Sequence, residues 1–139
     1  MVGIVIAAHG HLATELIATA ELIVGELVGV IGCNISPALS APAMEEELRR
    51  AVVEVDRGEG VLVLADLIGG TPCTRSMALC RKARLEVVTG VNLPMVLKAH
   101  SLRQARPLRE LAPLLVEAVR GSIRWVTESE QVQPGVAPR

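Results

Sequence analysis

Aromatic side chains are almost missing from this chain: its 139 residues include one Trp and no Phe or Tyr. No platform is left on which bases could stack. The charges offer nucleic acid no hold either, because 14 Lys and Arg against 15 Asp and Glu leave a net charge of −1. Both features argue against nucleic-acid binding. Long apolar runs are also lacking. Stretches such as Val61–Ala65 are strand-length, far below the roughly 20 residues that cross a bilayer. The opening Met1–Ile6 has no basic start, and His9-Gly10-His11 interrupts its apolar run, so it does not read as a secretory signal. Cysteine is sparse: Cys33, Cys73 and Cys80 form an odd set with no Cys-x-x-Cys pair, which argues against a disulfide framework or a zinc site. Together these absences describe a cytoplasmic protein with reduced thiols that does not itself span a membrane.

What is present is aliphatic. Half of the residues are hydrophobic, and their volume must come from Val, Leu, Ile and Ala, the usual filling of a sheet buried on both faces. The length suits one domain. Strand-like and helix-like patterns alternate along it. Val2–Ala8 is a continuous apolar strand. From Leu12 the spacing turns helical, with Leu12, Leu16, Ile17, Ala20, Ile23 and Val24 on one face and Gly25 as a stop. Leu27–Cys33 reads as a second strand. Ser40-Ala41-Pro42 opens a helix carrying a Met44, Leu48, Val52, Val55 stripe, with Glu45–Arg49 and Glu46–Arg50 spaced for i,i+4 pairs. Val61–Asp66 is a third strand, and Gly69-Gly70-Thr71-Pro72 leads into a helix running to Ala83. Leu85–Thr89 is a fourth strand. Further helices are expected from Pro94 to Leu102 and from Pro107 through Val119, the latter kinked or restarted at Pro113. Ile123–Val126 has the character of a short last strand. Residues 1–126 are thus expected to form one domain and 127–139 a frayed tail.

This alternation predicts an α/β three-layer sandwich with a mainly parallel sheet. Right-handed crossovers then bring every strand-to-helix loop to one sheet edge. His9-Gly10-His11, Asp66–Pro72 and Gly90–Pro94 all leave strands at that edge. In a 2-1-3-4 strand order, His9 and Asp66 would face each other across the crevice between diverging crossovers. A carboxylate on one imidazole nitrogen sets the tautomer and leaves the other nitrogen free as nucleophile, base or ligand. Gly69, Gly70 and Thr71, just before a helix, offer amide donors and a positive dipole end to an anion. A nucleophilic His, an orienting Asp and an anion cradle suggest a phosphoryl group carried on His9.

Each residue also has a plainer role available. His9 could be structural, Asp66 could cap a turn, and the Gly-Gly-Thr-Pro run could be an ordinary turn. His11 competes as the nucleophile, and His9 with His11 could bind a metal, although no further His or Cys is expected nearby except Cys73. Arg75 could neutralise a phosphoryl group, meet an acidic partner or simply be solvated, and His100 reads as a surface residue. The cysteines read as small core hydrophobes. No metal or cofactor is called for, and no complete Gly-x-Gly-x-x-Gly fingerprint is present.

The opening strand ending in His9-Gly10 and followed by Leu12-Ala13 resembles the start of the mannose-family enzyme IIA domains of the bacterial phosphoenolpyruvate-dependent sugar phosphotransferase system. Asp66-Leu67-Ile68-Gly69-Gly70-Thr71-Pro72 and Gly90-Val91-Asn92-Leu93-Pro94-Met95 resemble that family's second and third signatures. The resemblance spans about residues 1–120. It implies that His9 takes a phosphoryl group from the histidine-containing phosphocarrier protein and passes it to a separate IIB partner. It implies that Asp66 hydrogen-bonds this histidine, and that Gly70 and Thr71 lie beside the phosphoryl group. It also implies a homodimer that exchanges a C-terminal antiparallel strand, for which Ile123–Val126 is the candidate. Cys73 and Thr74 stand where the family commonly has Phe and Asn, and Ile68 where an aromatic is frequent. Those departures concern the partner-facing surface and motivate an alternative: a regulatory module whose phosphorylation at His9 controls a protein contact without sugar transport.

Overall fold

The computed structural model describes residues 1–80 and 83–128. Four strands, β1 (Gly3–His9), β2 (Val30–Ile35), β3 (Val61–Ala65) and β4 (Leu85–Thr89), form one parallel sheet in the order β2-β1-β3-β4. The two central strands are apolar from end to end because both of their faces are covered. Ile4, Ile6, Ala8, Leu62 and Leu64 pack under α1 (Leu12–Val24), α4 (Leu93–Leu102) and α5 (Leu108–Arg120). Val5, Ala7, Val61 and Val63, one residue out of phase, pack under α2 (Ala41–Val55) and α3 (Thr71–Leu79). The expected three-layer sandwich and its 2-1-3-4 order are therefore present.

Several boundaries differ from the sequence expectation for local reasons. Val28-Gly29 forms a turn, with Gly29 at φ +71°, so β2 begins at Val30 and runs on to Ile35. Helix α1 turns small residues toward the sheet: Ala13 and Ala20 are buried, whereas Leu12, Ile23 and Val24 are 43%, 58% and 44% exposed. The cause is Gly32 on β2, where a Cβ would stand 3.2 Å from the Ala13 carbonyl carbon and the Thr14 nitrogen. Ala13 lies against Gly32 at that approach, and Ile17 Cδ1 reaches the same place at 3.2 Å, while Leu16 and Ile17 pack against the core edge. Helix α3 ends at Leu79, short of Ala83, and α5 runs unbroken through Pro113. The charged pairs on α2 also rearrange. Arg49 takes Glu46 at 2.7 Å, Arg50 lies 4.0 Å from the same carboxylate, and Glu45 turns toward Arg75 on α3 at 3.9 Å.

Ile123–Val126 is no strand of this chain's sheet. Residues 123–125 have no regular structure, Val126–Glu128 is a 3-10 turn, and Ile123, Trp125 and Val126 are 78%, 73% and 56% exposed. Among the described residues, that segment has no antiparallel neighbour. Of the expected tail, Thr127 and Glu128 end this turn, and 129–139 lie outside the described residues. Among the described residues, no helix is long and apolar enough to cross a membrane.

Candidate functional site

The crossover from β1 runs through α1 on one face of the sheet, and that from β3 through α3 on the other. These strands are neighbours, with Ala7 opposite Ala65, so a crevice opens at their C-terminal ends. His9 is the last residue of β1, and Asp66 follows β3 by one position. The two meet: His9 Nδ1 lies 2.8 Å from Asp66 Oδ2. The same oxygen accepts the His9 backbone N–H at 2.9 Å, while Oδ1 accepts the Leu67 N–H at 2.9 Å. The ring is about half exposed and the carboxylate nearly covered.

Burial pushes the Asp66 carboxyl up. The hydrogen bonds from the His9 amide and ring, the His9 charge and the Leu67 amide outweigh it and hold the group below the usual carboxylate range. An ionised carboxylate only accepts, so Nδ1 must carry a proton, and in the neutral ring the lone pair is on Nε2. The arrangement thus presents one imidazole nitrogen of fixed identity to solvent.

The loop after Asp66 closes the other side. Gly69 adopts φ +72°, a conformation that side chains disfavour. At Gly70 a Cβ would stand 3.3 Å from His9 Cε1, a tight contact that glycine avoids where the loop lies against the ring. Gly70 is also the N-cap of α3 and makes no side-chain cap. Thr71 and Cys73 carry first-turn amides that helix geometry leaves without intrahelical acceptors, and Pro72 has none to offer. Helices α2 and α4, by contrast, are capped: Ser40 accepts from the Ala43 amide and Asn92 from the Met95 amide. The third segment is tied to the same place, since the Val91 N–H donates to the Ala65 carbonyl at 3.0 Å.

The other candidates lie elsewhere or do other work. His11 is the N-cap of α1, exposed and without a side-chain cap bond. Among the described residues, no three His, Cys, Asp or Glu side chains converge to hold a metal ion. Arg75 is directed to Glu45 on α2. His100 is half-buried, and its Nδ1 lies 3.2 Å from Arg103 Nη2. Burial and the neighbouring guanidinium both lower its pKa. Cys33 is a buried thiol, pushed up to about 12 by burial and by Glu47, and Cys73 is buried too. Two features escaped sequence reasoning. Arg103, 2% exposed, donates to the carbonyls of Val2, Val28 and Gly29 at the opposite edge of the sheet. Asn34 pairs with Thr14 beside the His9 turn. Asn34 had one visible signal, a polar residue between Cys33 and Ile35 in an apolar run. Arg103 had none, since a charged residue at a helix end reads as solvated.

The family model EIIA-man, described as "PTS system fructose IIA component", matches residues 3–116. The "PTS system mannose-specific EIIAB component" of Escherichia coli strain K12 is 34% identical over 139 residues, covering 99% of this chain and 43% of that protein. The chain thus spans under half the length of that relative. The "PTS system fructose-specific EIIA component" of Bacillus subtilis is 28% identical over 112 residues, 80% of this chain and 77% of that protein. Among solved structures, the phosphotransferase system component EIIA from Streptococcus agalactiae superposes with a TM-score of 0.86 at 28% identity, covering 93% of this chain and all of that one. With the fold, the order of the strands and the matched length in agreement, this chain belongs to the EIIA-man family, the mannose- and fructose-type IIA components of the phosphotransferase system.

Proposed function

We propose that this chain is a histidine phosphocarrier of sugar uptake that works through Nε2 of His9. It receives the phosphoryl group from the histidine-containing phosphocarrier protein and hands it to a separate IIB partner in the cytoplasm. The 2.8 Å contact between His9 Nδ1 and Asp66 carries this reading. In the forward step, the Nε2 lone pair attacks phosphorus as the donor's P–N bond breaks and its electrons return to the donor ring. No water, oxidant or metal enters the balance. The ring gains positive charge while Nδ1 keeps its proton, and the Asp66 carboxylate offsets that charge from 2.8 Å. Phosphoryl transfer of this kind needs positioning and charge stabilisation more than covalent chemistry by the protein. Gly69, Gly70 and Thr71 supply the cradle, with the amides at the start of α3 directed to the phosphoryl oxygens.

The same reading includes a homodimer in which Ile123–Val126 is exchanged between subunits. The free edge of β4 and the exposed Ile123, Trp125 and Val126 support it. Incubation with phosphoenolpyruvate, enzyme I and the histidine-containing phosphocarrier protein should place one acid-labile phosphoryl group on the wild-type chain. His9→Ala should take none. Labelling of His9→Ala at the wild-type level would overturn the assignment.

A further inference from the structure

We infer that Asn34 and Thr14 form a positioning pair for His9, a role that rests on the phosphocarrier reading above. In the β1–β2 register, Asn34 lies opposite Ala8 and Ile35 opposite His9, so the end of β2 runs beside the turn that leaves the histidine. Asn34 shares a strand face with Gly32, two residues earlier, and that face is covered by α1. Gly32 lets α1 come close, with only 3.2 Å between the place of a Cβ and the Thr14 nitrogen. Asn34 uses that closeness. Its Oδ1 accepts the Thr14 N–H at 3.3 Å and its Nδ2 donates to Thr14 Oγ1 at 3.0 Å, while Oγ1 donates to the His11 carbonyl at 3.1 Å. A backbone N–H can only donate, so the amide of Asn34 has one possible orientation and the chain of donors runs in one direction.

This device replaces a cap that α1 lacks. His11, its N-cap, makes no side-chain hydrogen bond to the first turn. The acceptor comes instead from a neighbouring strand, and the bond on to the His11 carbonyl fixes the far end of the His9-Gly10-His11 turn. The near end is fixed by the His9 N–H on Asp66 and the Gly10 N–H on the Ile35 carbonyl at 3.0 Å. Gly10, at φ +60°, is the flexible point between these anchors. The His11 carbonyl also accepts the Glu15 N–H at 3.1 Å, so loss of the Asn34–Thr14 pair loosens that end of the turn without freeing it. The imidazole can then drift from its place between Asp66 and Gly70.

The test uses the full chain with Thr14→Val, Thr14→Ser and Asn34→Leu. Single-turnover transfer from the phosphorylated histidine-containing phosphocarrier protein is followed against its concentration. The maximal rate of Thr14→Val and Asn34→Leu should fall about tenfold, within the roughly hundredfold that a 1 Å misplacement can cost. The half-saturating concentration should stay unchanged, and Thr14→Ser, which keeps the hydroxyl, should transfer within twofold of wild type. In the unphosphorylated protein, the His9 ring nitrogen-15 shifts should move in Thr14→Val and not in Thr14→Ser. Wild-type maximal rates and unmoved ring shifts in Thr14→Val and Asn34→Leu overturn the inference, whatever happens to Tm. Failure of wild type itself to take phosphoryl sinks the phosphocarrier reading instead, and the ring shifts still decide the positioning role.

Discussion

Asp66→Asn is the sharpest probe of the site, because it keeps the shape and removes only charge and acceptor capacity. Asp66 now accepts three hydrogen bonds at 2.8–2.9 Å, two from His9 on Oδ2 and one from Leu67 on Oδ1. An amide has one oxygen to serve the two sides. If that oxygen faces His9, the new NH2 opposes the Leu67 N–H. If it faces Leu67, the NH2 opposes the His9 N–H, and the ring must turn Nδ1 into an acceptor and move its proton to Nε2, the nitrogen proposed to attack. A charge-assisted hydrogen bond contributes about 1.5–3 kcal/mol, and about 1.4 kcal/mol is a factor of ten in rate. Transfer from the phosphorylated donor should therefore slow by roughly tenfold to a hundredfold in a rapid-quench assay. Thermal melts give a second measure. The folded carboxyl titrates below its unfolded counterpart, so its contribution to stability is complete above about pH 4, the unfolded Asp range, and is lost as pH falls through the lower folded value. Wild type should lose more Tm than Asp66→Asn across that acid limb. Transfer by Asp66→Asn within twofold of wild type would refute the role of the carboxylate.

Three further outcomes follow from the same geometry. Gly70→Ala should fold normally, since φ −69° and ψ 166° suit any residue, yet its Cβ would press on His9 Cε1 from 3.3 Å; transfer should slow several-fold, and an unchanged rate would mean that the ring does not rest against the loop. Arg103→Met should be destabilised by several kcal/mol, about 1–3 for each of the Val2 and Val28 carbonyls, since Gly29 keeps the Ile4 N–H, read as a lower urea midpoint at constant m. A midpoint equal to wild type would show that water replaces the guanidinium at Val2, Val28 and Gly29. Cys33, with its thiol pushed up to about 12, should resist iodoacetamide at pH 8 in the folded protein and react in urea; equal labelling in both would contradict its burial.

The sheet was legible because its signal is redundant. Val2–Ala8 and Val61–Ala65 are apolar at successive positions, a pattern that a two-faced parallel strand needs and a surface strand does not. Once strands and helices alternate, the handedness of crossovers carries His9 and Asp66 to one edge with no knowledge of side chains. What stayed illegible depends on contacts between elements. Helical spacing placed Leu12, Ile23 and Val24 on the core face of α1, but Gly32 on β2 decides how close that helix comes and so which face fits. Glu45 was in register with Arg49, yet α3 brings Arg75 to it. Ile123–Val126 is apolar like a strand, and an edge strand exists only when another chain or segment pairs with it.

The uncapped start of α3 and the small residues around it belong to one arrangement. A Ser or Asn at position 70 could cap the helix as Ser40 and Asn92 cap α2 and α4, worth about 1 kcal/mol. Either would bring a Cβ to within 3.3 Å of the His9 ring and occupy amides that the proposed phosphoryl group would use. Glycine gives up that local stability and keeps donors, ring and space together. Aspartate cannot take the place of the phosphoryl group either, because Asp66 has both oxygens committed to His9 and Leu67. The crevice therefore holds a fixed negative charge on the Nδ1 side of the imidazole and unspent positive dipole on the side of Gly70. In the proposed phosphocarrier, an anionic group on Nε2 would use that dipole while Asp66 offsets the charge gained by the ring.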